Sequence, residues 1–166
     1  MTAMLLCALL AVAGCGDDDS SEEGTTTGGG ETAGAVEKSD DASDRTKPEV
    51  TVPEGDPPKE LVENELIEGT GAEAKPGDEV TVHYVGVGYE SEEEFDSSWS
   101  RNEPFSFQLG SGSVIPGWEQ GVEGMKVGGR RELIVPPDLA YGETGSPPVI
   151  GPNETLVFVV DLLEVG

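Results

Sequence analysis

Val114-Ile115-Pro116-Gly117-Trp118-Glu119-Gln120-Gly121-Val122-Glu123-Gly124-Met125-Lys126-Val127-Gly128-Gly129 is the one stretch of the chain that reads as a helix, and its weakness as a helix decides the fold. Pro116 suits a helix start, where its missing N–H is not needed and its φ is already helical. Trp118, Val122 and Met125 then recur at i, i+4 and i+7, sharing one apolar face, and Gly128-Gly129 ends the element. Gly121 and Gly124 each cost about 1 kcal/mol against alanine in a helix. A helix so short and so rich in glycine has to be held by packing against a sheet.

The segments on either side supply that sheet. Val80, Val82 and Tyr84 alternate with Thr81 and His83, so one strand face is apolar and the other more polar. Phe105, Phe107 and Leu109 repeat the pattern, and Arg131–Val135 and Leu156–Leu163 read as further strands punctuated by Gly and Pro. The last run is apolar enough to be central. The predicted class is α+β, an antiparallel β-sheet wrapped across one short α-helix, over residues 59–166.

Upstream the composition changes twice. Met4 to Ala13 is an apolar run of signal-peptide length, ending at Gly14-Cys15-Gly16 and Asp17-Asp18-Asp19. Val12-Ala13-Gly14-Cys15 resembles the bacterial lipobox, which implies a lipoprotein signal peptide over residues 1–14, lipidation of Cys15 and anchoring at the outer face of the cell membrane or in the periplasm. Residues 15–58 are acidic and rich in Gly, Ser, Thr and Pro, with little apolar content to offset ordering entropy, so they read as a disordered tether. Both cysteines precede residue 16, which leaves the domain without a disulfide or a cysteine metal site. No run approaches the roughly 20 apolar residues of a membrane span.

The net charge is −25, from 34 acidic and 9 basic residues, and a polyanion of this size repels phosphate backbones. Nucleic-acid binding is excluded as a function class. His83 is the single histidine, mid-strand and without a cysteine nearby, so metal and histidine-based catalysis lack parts. No nucleophile elbow or Walker-type glycine loop is present. What remains is a set of aromatic and branched residues at element ends, each of which taken singly reads as core.

Taken in order they resemble a family. Val80-Thr81-Val82-His83-Tyr84-Val85-Gly86, Phe95-Asp96-Ser97-Ser98, Arg101-Asn102-Glu103-Pro104-Phe105-Ser106-Phe107, Val114 to Val122, Gly124 to Gly129, Ala140-Tyr141-Gly142 and Thr155-Leu156-Val157-Phe158 are similar to the FK506-binding (FKBP-type) peptidyl-prolyl isomerases from about Leu61 to Val165. The resemblance implies a strongly bent sheet around the helix and a pocket for an Xaa-Pro bond. Trp118 would be its floor and Tyr84, Phe105, Val114, Ile115 and Phe158 its walls, with Phe95 and Val149 as further substrate contacts. The Ile115 N–H and the Tyr141 hydroxyl would bind substrate carbonyls, and Asp96 would stand at the rim, oriented by Tyr84 and Arg101. Leu139 and Ser146 replace a frequent tyrosine and a frequent histidine at the rim. No cofactor or metal is implied. The partners implied are unfolded or proline-containing exported polypeptides and FK506-like macrolides, bound by a monomer that meets the membrane through its lipid alone. An alternative of another class remains, a proline-directed binding or holdase module with little turnover.

Overall fold

The computed structural model describes residues 37–38 and 45–166. The expected signal peptide, Cys15 and most of the expected tether lie outside the described residues. Seven strands form one sheet in the order β1-β2-β6-β7-β3-β4, with β5 beside β3. They are β1 (Glu37–Lys38), β2 (Val62–Glu68), β3 (Glu79–Gly88), β4 (Glu94–Ser97), β5 (Phe105–Gln108), β6 (Arg130–Val135) and β7 (Leu156–Val165). All pairings are antiparallel except that of the two-residue β1 with β2. The apolar run Leu156–Leu163 is central, as its composition demands, with β6 on one side and β3 on the other. The ten-residue β3 bends the sheet: its first half pairs with β5 and its second half with β4, with register shifts at Thr81/Val82 and at Gly86/Val87.

One face of the sheet, carrying Val82, Tyr84, Leu133, Val135, Phe158, Val160 and Leu162, packs on the helix α2 (Pro116–Val122) through Trp118 and Val122. The chain comes closest at Gly117 and Gly121, where an added Cβ would lie 2.3 Å from Val135 Cγ1 and 2.6 Å from Leu133 Cδ2. The helix ends at Val122, one turn earlier than its apolar period predicts. Met125 is fully buried, yet it follows a turn at Gly124, whose φ of +76° is left-handed, so Gly124 ends the helix rather than weakening it.

Two further differences bear on the site. A second, single-turn helix, α1 (Ser98–Arg101), follows β4 directly, capped by the Ser97 hydroxyl on the Ser100 N–H. Composition assigns residues 45–58 to a disordered tether, yet part of this segment is packed on the domain. Val50 and Val52 lie against Tyr89, Ile134 and Val157, and Arg45 pairs with the buried Asp161. Alternating Val50 and Val52 gain enough apolar contact to hold a segment that its acids and prolines mark as unpacked.

Candidate active site

Tyr84 points from mid-β3 toward α2, and its ring meets Trp118 edge-on with centroids 5.0 Å apart and Phe105 at 6.2 Å. Trp118 in turn meets Phe158 of β7 edge-on at 5.3 Å, and Phe95 of β4 stands edge-on to Phe158 at 5.6 Å. Such T-shaped pairs set the positive edge of one ring against the negative face of the next. Gly86 makes room for them: a Cβ there would lie 2.6 Å from Phe95 Cζ and 2.9 Å from Phe158 Cε1. The rings enclose a cavity of about 380 Å³, lined also by Asp96, Val114, Ile115, Tyr141 and Ser113. Trp118 and Phe158 are buried, whereas Phe105 and Tyr141 are exposed at the mouth.

The mouth is built from loops tied down by polar contacts. Glu119, in the first turn of α2, accepts from the Gly110 N–H and, at 2.8 Å, from the Gly112 N–H, fixing the loop that carries Ser113, Val114 and Ile115. Neither the Ile115 N–H nor the Tyr141 hydroxyl is committed to a partner among the described residues, so both can donate to a bound molecule. The Trp118 indole N–H is buried at the floor with no hydrogen-bond partner among the described residues.

Asp96 is the one charge on the lining. The Tyr84 hydroxyl donates to its Oδ2 at 2.5 Å, the Ser97 N–H to its Oδ1 at 2.8 Å, and Arg101 pairs with the same Oδ1. Arg101 Nη2 also donates to the Tyr84 hydroxyl at 3.0 Å, closing a triangle. Burial works to raise the Asp96 carboxyl, but the bonds from Tyr84, Arg101 and Ser97 and the Arg101 charge outweigh it and hold the group below its ordinary value. Burial and the neighbouring carboxylate push the Tyr84 phenol up, and the bonds to Tyr84 and Asp96 raise Arg101. At neutral pH the site therefore holds a carboxylate, a neutral phenol and a guanidinium, none poised to exchange a proton. His83, on the opposite face of β3, stacks on Trp99 at 4.2 Å and hydrogen-bonds Ser98 Oγ at 2.9 Å. Burial lowers its pKa, with the Asp161 charge opposing.

Of the residues singled out from sequence, Tyr84, Phe95, Asp96, Phe105, Val114, Ile115, Trp118, Tyr141 and Phe158 all line this one cavity, and Arg101 braces it from behind Asp96. Val149 does not. It is 60% exposed and lines a separate, smaller cavity on the far side of Phe95, because the Ser146–Ile150 bridge turns Ile150 into the core and Val149 outward. Ser113 and Gly86 went unread: a serine in a glycine-rich turn carries no signal, while Gly86, between two strand valines, marks a close approach.

The sequence model of FKBP-type peptidyl-prolyl cis-trans isomerases matches residues 71–163. The chain belongs to this family of FKBP-type isomerases. An FK506-binding protein from Streptomyces anulatus is 57% identical over 120 residues, 72% of this chain and 97% of that protein. Peptidyl-prolyl cis-trans isomerase FPR2 of Saccharomyces cerevisiae is 54% identical over 99 residues, 60% of this chain and 73% of the yeast protein. Among solved structures, the crystal structure of FkpA from Escherichia coli superposes with a TM-score of 0.58 at 47% identity, covering 63% of this chain and 47% of that one. The FKBP-type domain is thus an enzyme, a peptidyl-prolyl cis-trans isomerase, on a bent antiparallel sheet around one short helix.

Proposed function

We propose that this FKBP-type isomerase accelerates the folding of exported proteins by binding Xaa-Pro bonds in the aromatic cavity and stripping them of water. Rotation about such a bond crosses a barrier of about 18–20 kcal/mol because twisting breaks amide resonance, and unaided it takes tens to hundreds of seconds. The twisted imide has a less polar carbonyl than the planar one, so an environment poor in water favours the transition state over the ground state. The observation that carries this reading is the lining itself: Trp118 and Phe158 buried at the floor, Tyr84 and Phe105 as walls, and two unpaired donors, Ile115 N–H and Tyr141 OH, at the mouth. The proline ring would lie on Trp118, the flanking carbonyls would accept from the two donors, and Asp96 would act by charge and orientation without transferring a proton. The same cavity would take an FK506-like macrolide, as the name of the Streptomyces relative suggests.

The chain would work as a monomer held outside the cell membrane by a diacylglyceryl group on Cys15, as the lipobox-like Val12-Ala13-Gly14-Cys15 supports. A protease-free assay on a short Xaa-Pro peptide tests the activity, and a folded Trp118→Ala chain turning over as fast as the parent would move the active site elsewhere. For the anchor, Cys15→Ser should move the protein from the membrane fraction to the soluble one; a variant that stays with membranes refutes the assignment.

A further inference from the structure

The face of the sheet turned away from α2 carries an apolar patch of its own. Alternation places Ile134 of β6, Val157 and Val159 of β7, and Val85 and Val87 of β3 there, and all five are buried. The helix is on the other side, so another part of the chain covers them. Residues 45–52 run across this face. Val50 and Val52 pack on Ile134 and Val157, and Lys47 to Thr51 form one wall of a cavity whose other wall includes Val85 and Val87.

Polar contacts fasten both sides of this segment. Arg45 Nη1 donates to Asp161 Oδ1 at 2.9 Å and Arg45 Nη2 to the Gly128 carbonyl at 2.6 Å, while Arg130 holds the Thr46 carbonyl at 3.2 Å. Lys47 then reaches past the sheet edge. Its Nζ lies 2.6 Å from Glu94 Oε2 and donates to Ser100 Oγ at 3.1 Å. Glu94 opens β4 and Ser100 belongs to α1. These four-residue elements carry Phe95, Asp96 and Arg101, and β4 is an edge strand paired with β3 alone through an irregular register.

We infer that residues 45–52 form a strap built into the isomerase domain, and that Lys47 is a positioning residue which holds the β4–α1 unit, and with it the Asp96–Arg101 side of the pocket, in place from the back of the sheet. The inference rests on reading the aromatic cavity as the isomerase site. An exposed ion pair adds little to global stability, so the effect of Lys47 is local, on how the rim meets a peptide.

The test uses the full-length chain. Lys47→Ala should keep its melting temperature within about 3 °C of the parent and lower kcat/KM about three- to tenfold, the size of one lost rim contact. The loss should fall mainly on KM, and the Asp96 carboxyl, followed by NMR, should titrate closer to its ordinary value. Lys47→Arg should restore all of these, and Lys126→Ala, which removes the remote pair with Glu68, should change none. Unchanged kcat/KM in Lys47→Ala overturns the inference, as does a loss that only tracks a fall in melting temperature and is not restored by arginine. A folded Trp118→Ala chain separates this failure from failure of the pocket reading. If that variant is slowed while Lys47→Ala is not, the strap inference alone falls; if neither is slowed, the cavity is not the site and both fall.

Discussion

Replacing Gly117 by alanine sets two effects of opposite sign against each other. Helix propensity alone favours alanine by about 1 kcal/mol in a helix interior, and less at the second helical position. The geometry opposes it: the new Cβ would lie 2.3 Å from Val135 Cγ1, 3.1 Å from Val135 Cγ2 and 3.2 Å from the Leu139 carbonyl oxygen. Val135 is fully buried on β6 and, being β-branched, has little freedom at χ1, so the helix start has to lift off the sheet. Overpacking of this kind costs about 1–3 kcal/mol, and with a rigid valine the upper part applies, for a net loss of about 1–2 kcal/mol. In a domain of this size that is a fall of roughly 3–10 °C in melting temperature. Trp118 is the next residue, so the same lift tilts the pocket floor and should lower kcat/KM in a peptide isomerisation assay at a temperature where the variant is folded. Val135→Ala makes room, and the double variant should recover part of both losses, a coupling that a double-mutant cycle isolates. Gly121→Ala should cost less, because its clash is with the mobile end of Leu133. A Gly117→Ala chain more stable than the parent would refute the claim that helix and sheet are in closest contact there.

Tyr141→Phe removes one donor from the mouth and should slow turnover by up to about tenfold, with stability unchanged because the side chain is exposed; a rate within twofold of the parent would remove Tyr141 from the mechanism. Arg45→Gln leaves Asp161 paired with Arg130 alone and should cost about 1–3 kcal/mol in denaturant unfolding; no shift in the midpoint would show that the strap is not seated. In pH, both resolved acid-range groups have the same sign. The His83 pKa is lowered from 6.5 and that of Asp96 from 3.8, so each binds protons less readily folded than unfolded, and its stabilising contribution is lost as pH falls below its ordinary value. Stability should therefore be level from about pH 7 to 9, decline toward acid and, because the Tyr84 phenol is pushed up from 10.0, decline again as pH rises past that value, while kcat/KM stays flat from about pH 6 to 8.5 and indifferent to chelators; a bell-shaped profile with a limb near the histidine value would contradict turnover without proton transfer.

The parts of the molecule legible in the sequence are those where a period forces a side chain to one face. Val82 and Tyr84, Phe158 and Val160, and Trp118 and Val122 obey strand or helix spacing, and all point into one core. The failures fall where period has no meaning. Val149 lies in a loop, where a one-residue bridge decides between inside and outside, and no alternation rule reports that. The single turn α1 is too short to show an apolar stripe, and only its Ser97 cap marks it. The strap lies inside a segment, residues 15–58, whose overall acid, glycine and proline content predicts a tether, yet two valines in alternation and one arginine suffice when a buried carboxylate waits 116 residues away. Asp161 was the missing clue: a charge inside the central apolar strand requires a cation, and Arg130, its neighbour by register, is one of the two that it found.

The arginines show how an acidic chain fixes its geometry. The sequence holds four, and the structure commits every one to a junction between distant segments. Arg45 and Arg130 meet on Asp161 and join the strap to the sheet; Arg101 joins α1 to Asp96 and Tyr84 at the pocket rim; Arg131 joins β6 to Glu65 of β2 and, through the Gly121 carbonyl, to α2. A guanidinium offers five donors in a rigid plane and so defines direction as well as charge, which a lysine does not. With the arginines consumed internally, most surface carboxylates lack a cation to offset them, and the domain presents a negative field to whatever approaches its aromatic cavity. Such a field would favour cationic peptides at the mouth and weaken with salt, while contacts in the apolar cavity itself would keep their strength. Salt should accordingly raise KM for cationic proline peptides and leave kcat unaffected.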